Sequence, residues 1–512
     1  MLRSPRFTSI PLLLSTVVLS TLVDSGCAAR VDDGDGSEVA AALAAGDCTR
    51  ASFGTADDVH RLVAVGGGGG AVRADSSAVG PDESFDLVPV AGGVALRAAN
   101  GQFVSAENGG GGALDANRDV ARAWETFTLE TLADGRVHLR TSGGYYVTAE
   151  NGGGGLVHAD RATARAWETF TPACSDRIPT SRNPRAWPFA STSIWNMPIG
   201  GAARYVPAGI KQATFKAVYA EPDLILFTPT APLTDVRYNP HWHPGRCDIP
   251  AGSPVLFRAP IPTDYLVGDE WQNFATAILD ADGRTVYQTQ PFAHCSAGAP
   301  ASAMLHSRTV DLYGDGILGA HGGSDLSSFG GTLRLGELRP NGPHVRHALK
   351  INLDGKADLF ACGTTQKAED CYRWPARHGD ASAFANYGGT VYALRMGALL
   401  ALPATLDLAT LGLRTEPARE LAWTLQNYGG YVVDNTGQSR WDFAVERGPA
   451  GRFVEQFLGD WHIPFDDDDR TTDWAHDMSA IFLHLAVVDN NAPDAIGGGG
   501  TPRQPLAPAI AP

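Results

Sequence analysis

The chain has 512 residues, 59 of them glycine and 33 proline, with a formal net charge of -16 and only five lysines among its 40 basic residues. That length suits two domains, and turn formers at this density without long helical periodicity favour a β-rich, loop-rich protein. The negative balance excludes a nucleic-acid partner, which needs a basic surface, and weighs against a strongly anionic substrate unless a local basic pocket overrides it.

The N-terminus reads as an export signal over 1–29: Arg3 and Arg6, an apolar run over 10–23, then small residues before Ala28 and Ala29. Cys27 follows Ser25 and Gly26 as in a lipoprotein cleavage box, although Asp24 stands where an apolar or small residue is expected. No other stretch is apolar for long enough to span a bilayer, so membrane contact is expected only through lipidation of Cys27. The expected location is extracellular or cell-surface, as a secreted protein or an outer-membrane lipoprotein. Setting Cys27 aside leaves six of the seven cysteines, an even number that suits an oxidising compartment. The sequence leaves their connectivity open, and proximity suggests Cys362 with Cys371, Cys247 with Cys295 and Cys48 with Cys174, the last clasping the ends of the next region.

Between Cys48 and Cys174 one unit occurs twice: GQFVSAENGGGGALDANRDVARAWETFTL from Gly101 and GYYVTAENGGGGLVHADRATARAWETFTP from Gly144. Glu107 to Glu150 and Trp124 to Trp167 are both offsets of 43 residues, and a degenerate copy from His60 has Phe85 where the Gly101 copy has Phe127. Three such units of short strands and glycine turns cannot bury their apolar faces singly and must close on one another, which predicts a β-trefoil over 48–174. Trp124, Trp167, Phe127 and Phe170 are expected in its core, and the glycine runs after Asn108 and Asn151 are expected to be turns. The G-x-[FY]-V-[ST]-A-E-N-G-G-G-G and W-E-T-F signatures resemble the fascin-like trefoil of the actin-crosslinking superfamily. Bacterial trefoils of that kind are often appended to carbohydrate-active enzymes. The resemblance therefore implies glycan binding rather than actin binding, although Gln-x-Trp sugar motifs are absent.

A polar, proline-punctuated linker over 175–188 leads to a domain over 189–491, and a Gly- and Pro-rich tail over 492–512 reads as an extended strap or a mobile end. Strand-like runs recur at 224–228, 254–257, 275–280, 285–289, 332–335, 347–353 and 431–434. Helices are expected at 416–428, with Thr415 as cap, Pro417 in the first turn and Gly429 as stop, and at 474–485 after the acidic 466–469 run. The fold class is mainly β, a β-trefoil followed by a larger, sheet-dominated α+β domain. The segments VRHALKI, YRWPARHGD, LRMGALLAL and YGGYVVDN resemble a family of secreted bacterial proteins of unassigned function. The matching positions are His347, Trp374, Pro375, Ala376, Arg377, His378, Met396, Gly397, Tyr428, Asp434 and Asn435. Thr436 follows Asn435 where that family usually has Gly, and the resemblance implies no activity.

Candidate chemistry centres on the glycine-rich stretch 311–353 and the segments it is expected to meet. Arg346 and His347, with Tyr372, Arg377, His378 and Asp434, would supply a base, a carboxylate-binding guanidinium and an orienting acid. Trp374, His321 and Asn435 would bind substrate. Such a set suits β-elimination on a uronic-acid polysaccharide, arginine neutralising the developing enediolate. The structural alternative makes His347 and Asp434 buried pins. Asp311, Asp315, Asp325 and Glu337, in or beside glycine turns, offer a second chemistry, a carboxyl pair for glycoside hydrolysis, against the simpler reading of turn-makers. His241 and His243, a His-x-His pair, would share a strand face and need His294 or His321 to complete a metal site, and 466–469 is read as an acidic turn rather than a calcium site. No cofactor is expected, and serine-hydrolase, P-loop and dinucleotide motifs are missing. The expected function is a secreted carbohydrate-active protein whose trefoil holds a glycan and whose larger domain cleaves polysaccharide as lyase or hydrolase. A non-catalytic glycan- or matrix-binding surface protein is the alternative.

Overall fold

The structure is a computed structural model that describes residues 43, 48–306 and 309–511; the expected export segment and Cys27 lie outside them. The first twelve strands form three four-stranded repeats. In each, the first and fourth strands enter a barrel that closes through Cys48–Gly54 pairing antiparallel with Thr171–Arg177, while the second and third form a hairpin of a triangular cap. Phe85, Phe127 and Phe170, at equivalent positions of the repeats, are fully buried and meet in one core with Phe53, Leu96 and Leu139. This is a β-trefoil, and the Cys48–Cys174 disulfide clasps its two ends. Cys247 pairs with Cys295 and Cys362 with Cys371.

The expectation for the two tryptophans is overturned. Trp124 and Trp167 are each 41% exposed, because the three-residue turn that carries them points the phenylalanine three positions on, not the tryptophan, into the barrel. The first repeat has Asp82 at the equivalent place. Asp82 feels the charge of Arg419 on a helix of the larger domain, and Asn341 of that domain donates to the carbonyl of Val79 at 3.4 Å. The place that carries the exposed ring in the other two repeats thus faces the larger domain in the first.

The larger domain is built on a mixed sheet with Leu349–Leu353, Trp441–Gly448, Val218–Leu226 and Thr276–Leu279 at its centre. Gly430–Asn435 runs parallel to the first of these. Side chains alternate across a strand. On one face Leu349, Ile351 and Leu353 join Trp441, Phe443 and Val445 beneath the helices Glu416–Asn427, Phe453–Trp461 and Asp473–His484. The opposite face carries Lys350, Asn352, Asp442, Glu221 and Asp223, all buried. Burial of so many polar groups requires a cover able to pair with them, and the cover is the coil around 316–334.

That coil is buried for most of its length yet contains neither helix nor strand, so the expected strand at 332–335 reduces to a single bridge between Leu333 and Val445. Its backbone is satisfied by side chains instead. Gln288 donates to the Leu318 carbonyl and accepts from the Ser328 amide, Gln290 accepts from the Gly322 amide, and Trp195 donates to the Gly316 carbonyl.

The other expected elements appear with small shifts of boundary. Thr415 precedes the helix Glu416–Asn427 but gives its hydroxyl to Asp477 at 2.8 Å rather than capping the helix, and Thr472 caps the helix Asp473–His484. The acidic run is internally engaged: Asp466 accepts from the Ala220 amide at 2.6 Å and Asp468 pairs with Lys216 at 2.5 Å. The C-terminal segment is a strap, since Ala509–Ile510 pairs in parallel with Ser181–Arg182 of the linker.

Trefoil and sheet meet across a charged seam. Arg346 reaches Asp176 of the trefoil at 2.6 Å, Arg50 of the trefoil reaches Glu420 at 2.5 Å, and the His344 ring lies flat on Trp423 with centroids 3.8 Å apart. A cleft of about 300 Å³ opens beside this seam, lined by Arg50, Arg97, Asn100, Glu416 and Trp423 among others.

Candidate functional site

The polar face of the central sheet divides into two kinds of carboxyl. Asp223 meets the Lys350 ammonium at 2.7 Å and accepts from Thr332 at 2.5 Å, and Asp442 holds the Arg440 guanidinium at 2.9 Å. Glu221 and Asp434 have no such cation. Glu221 accepts from the Asn352 amide, and Asp434 accepts from the Asn273 amide at 3.3 Å and from the Asn435 backbone at 2.8 Å. Between them stands His321, fully buried, with Nδ1 3.5 Å from Asp434 and neither ring nitrogen in a hydrogen bond. One ligand-type atom from each of Glu221, His321 and Asp434 lies within 4.8 Å of the other two.

Local sequence explains the convergence. Glu221 and Asp223 are alternate residues of a mostly apolar strand, Asp434 is the last residue but one of Gly430–Asn435, and His321 opens the turn His-Gly-Gly-Ser of the covering coil. Glycine is required at 323: a Cβ there would lie 2.5 Å from Asp434 Oδ1. Burial raises the proton affinity of both carboxyls, Asp442 and Asp223 adding to the effect at Glu221, and Asp380 and Glu221 adding to it at Asp434. Burial, then the Lys350 charge, holds His321 neutral, well below the ordinary imidazole value.

Asn273 connects this floor to the surface. Its amide oxygen accepts from the Trp242 indole at 3.2 Å while its nitrogen donates to Asp434. Beside it Gln272 donates to the Tyr219 hydroxyl at 2.5 Å, and Trp271 is 79% exposed with its edge against the His243 ring. On another side Tyr387 donates to Asp380 at 2.5 Å, and Asn435 donates to the same carboxylate at 3.1 Å. The arrangement, called the pit below, is a buried floor of two carboxyls and an imidazole, with amides and the half-exposed Trp242 indole on the side that leads to the surface.

The residues expected from sequence are divided by the structure. His321, Asp434 and Asn435 lie at the pit. Arg377 is tied to its wall through its backbone amide, 3.1 Å from the Ser324 carbonyl, and His378 pairs with Asp325 at 3.1 Å. Arg346 and His347 are elsewhere. The guanidinium of Arg346 is committed to Asp176 and Thr49 of the trefoil, and His347 is held by Glu337 at 3.0 Å. Tyr372 bridges to Met396 and packs on the helix-side core, while Trp374 packs on the core of the opposite face. Asp311 pairs with Arg284 at 2.5 Å, and Asp315 accepts from the Ile317 amide.

His241 and His243 do not lie on a strand. His241 contacts Asn239 at 2.9 Å, His243 contacts Asp269 at 2.8 Å, and neither belongs to a cluster of metal-ligand atoms among the described residues. His294 is turned to the Tyr265 carbonyl at 2.7 Å.

Glu221, Asp223, Lys350, Asn352, Asn273 and Trp271 went unrecognised in the sequence. The signal for the first four is a charged or amide residue at every second position of an apolar strand, in VYAEPDLIL and LKINL. The interdomain cleft is the other candidate, but its charged lining is internally paired, Arg50 and Arg97 with Asp86, and Arg419 with Glu416. The pit, with its unsatisfied ring and uncompensated carboxyls, is the stronger candidate.

No protein-family model matches the chain, and no curated protein matches it. Among solved structures it is similar to a designed 3-fold symmetric protein, ThreeFoil, at 18% identity and a TM-score of 0.23, covering 24% of this chain and 97% of that one. A Polyporus squamosus lectin bound to a human-type influenza-binding epitope matches at 18% identity and a TM-score of 0.23, covering 26% of this chain and 49% of that one. A mosquitocidal holotoxin matches at 6% identity and a TM-score of 0.23, covering 25% of this chain and 16% of that one.

Proposed function

We propose that the protein is an extracellular carbohydrate-active protein in which the trefoil holds a glycan and the larger domain cleaves polysaccharide at the pit above Asp434. One observation carries the reading: Glu221, His321 and Asp434 converge without cation partners beneath a rim of Trp242, Asn273 and the freely exposed Trp271. Buried groups assembled at such a cost in stability are more economically explained by chemistry than by packing. Flat indole faces and amides beside them suit sugar rings, which offer C–H faces and hydroxyl edges.

Two cleavage reactions fit. Paired carboxyls suit glycoside hydrolysis. The exposed Arg377, next to the His378–Asp325 pair, suits β-elimination on a uronic-acid polymer, where a guanidinium neutralises the sugar carboxylate. The trefoil adds Trp124 and Trp167, exposed at equivalent places with Arg118 and Arg122, or Arg161 and Arg165, nearby in sequence. Three disulfides fit an oxidising compartment, and no helix among the described residues is long and apolar enough to cross a membrane. Secretion from a bacterium, with or without lipidation at Cys27, belongs to this reading.

The near-complete burial of the floor favours a second reading, a glycan- or matrix-binding surface protein without catalysis. A panel of neutral and uronic-acid polysaccharides separates them, followed by reducing ends and by ultraviolet absorbance of unsaturated products. Reducing ends with absorbance identify elimination, reducing ends alone identify hydrolysis, and retention on a polysaccharide with neither signal leaves the binding protein.

A further inference from the structure

We propose that Glu221, His321 and Asp434 form a binding site for a divalent transition-metal cation, Mn²⁺ or Zn²⁺, at the floor of the pit. The ligand-type atoms of the three side chains lie within 4.8 Å of one another, close enough that small side-chain rotations let one ion reach all three with bonds of about 2.0–2.2 Å. An acidic pair alone would not carry this, because two buried carboxyls can share protons. The second observation is His321. It is fully buried, its Nδ1 faces Asp434 at 3.5 Å, and neither of its nitrogens has a hydrogen-bond partner. A buried imidazole almost always finds a partner for at least one nitrogen, and an electron-pair acceptor placed between it and the carboxyls supplies one. Asn352, whose amide nitrogen donates to Glu221, leaves its Oδ1 equally without a partner.

Charge points the same way. On this sheet face Lys350 neutralises Asp223 and Arg440 neutralises Asp442, so the two buried carboxylates left over are Glu221 and Asp434. Giving up their protons to the ion, the two carboxyls match the charge of one divalent cation. The donor set of two carboxylate oxygens and one imidazole nitrogen fits a borderline ion better than Ca²⁺, which takes six or more oxygens. The site differs from the His-x-His pair, whose rings are engaged with Asn239 and Asp269.

The test uses the full secreted chain, stripped with a chelator and reloaded with MnCl₂, ZnCl₂ or CaCl₂, with bound metal measured by elemental analysis and stability by thermal melting. One equivalent of Mn²⁺ or Zn²⁺ is expected, with a melting temperature several degrees above the stripped form at saturating metal. Asp434→Asn and Glu221→Gln are expected to lose both the metal and the shift. Stripped, these variants should melt no lower than the stripped wild type, since each replaces a buried carboxyl that has no cation partner by its neutral amide isostere. His158→Ala, in the more exposed Glu150–His158–Asp160 group of the trefoil, should retain both. Substoichiometric metal with no shift overturns the proposal, as does a full equivalent that survives Asp434→Asn and Glu221→Gln. These readouts do not depend on whether polysaccharide is cleaved.

Discussion

His344 Nδ1 lies 2.6 Å from Glu420 Oε2, and the same imidazole faces Asp86 and Asp176 of the trefoil at 3.7 and 3.8 Å. Arg50 closes the group on the trefoil side and Trp423 forms its floor. Burial pulls the His344 proton off, but the charge of Glu420 and hydrogen bonds to Asp86 and Glu420 outweigh burial and the opposing Arg50, so its pKa is raised above 6.5. Burial likewise opposes ionisation of Glu420, yet Arg50 and His344 bring it down to about 2.

The signs of these two shifts define a pH window. A raised histidine contributes stability that is fully present below its unfolded value of about 6.5 and is lost as pH rises through the folded value. A depressed glutamate contributes stability present above its unfolded value of about 4.3 and lost as pH falls toward the folded one. The seam should therefore hold best between roughly pH 4.5 and 6.5 and loosen on the alkaline side. Removing one partner of a buried pair costs about 3–5 kcal/mol. His344→Ala should lower the melting temperature most near pH 5.5, and the difference from wild type should shrink as pH rises through the raised folded value of His344. A difference independent of pH would show that His344 acts by packing on Trp423 alone.

Trp124, in the three-residue turn Ala123–Glu125, and Phe127, which opens the strand after it, have opposite fates, the phenylalanine fully buried and the tryptophan 41% exposed. Phe127→Ala should cost about 3–5 kcal/mol by chemical denaturation. Trp124→Ala, and Trp167→Ala likewise, should cost less than about 1 kcal/mol. If the exposed rings bind glycan, each of the latter should weaken retention on the polysaccharide that the protein binds, and the double variant more than either. Unchanged retention in the double variant would remove the trefoil from glycan binding.

Lys350 and Asp223 are both fully buried and paired at 2.7 Å. Lys350→Met leaves Asp223 alone on the sheet face and should destabilise by about 3–5 kcal/mol. Adding Asp223→Leu should recover most of that loss, because a buried pair is worth little against an apolar substitute of similar volume. Denaturant midpoints of the two single variants and the double variant measure the coupling. Additive losses would mean that the two groups act independently.

The trefoil was legible because its apolar phenylalanines recur with the repeat. Periodicity alone could not place Trp124 and Trp167, since an outward residue repeats as faithfully as an inward one. The mainly β character of the larger domain was legible from its alternating runs, and the buried coil at 316–334 was not, because its backbone is satisfied by Gln288, Gln290 and Trp195, two of them from a strand more than twenty residues away. Arg346 and His347 drew attention as neighbours, yet their side chains diverge to Asp176 and Glu337. Of the polar residues at the pit, His321, Asp434 and Asn435 were legible from glycine-rich or strand-end settings. Glu221 and Asn352 were hidden inside strands, where an acid or amide among apolar residues reads as an exception until the sheet brings several together.

The most direct test of polysaccharide cleavage at the pit is product formation on the polysaccharide panel by the folded wild type beside Asp434→Asn. Soluble products are predicted from the wild type on at least one polysaccharide, with a loss of at least about a hundredfold in Asp434→Asn, which still melts no lower than the metal-stripped wild type. Wild-type protein that forms no product on any polysaccharide, or an Asp434→Asn variant as active as wild type, would contradict the account.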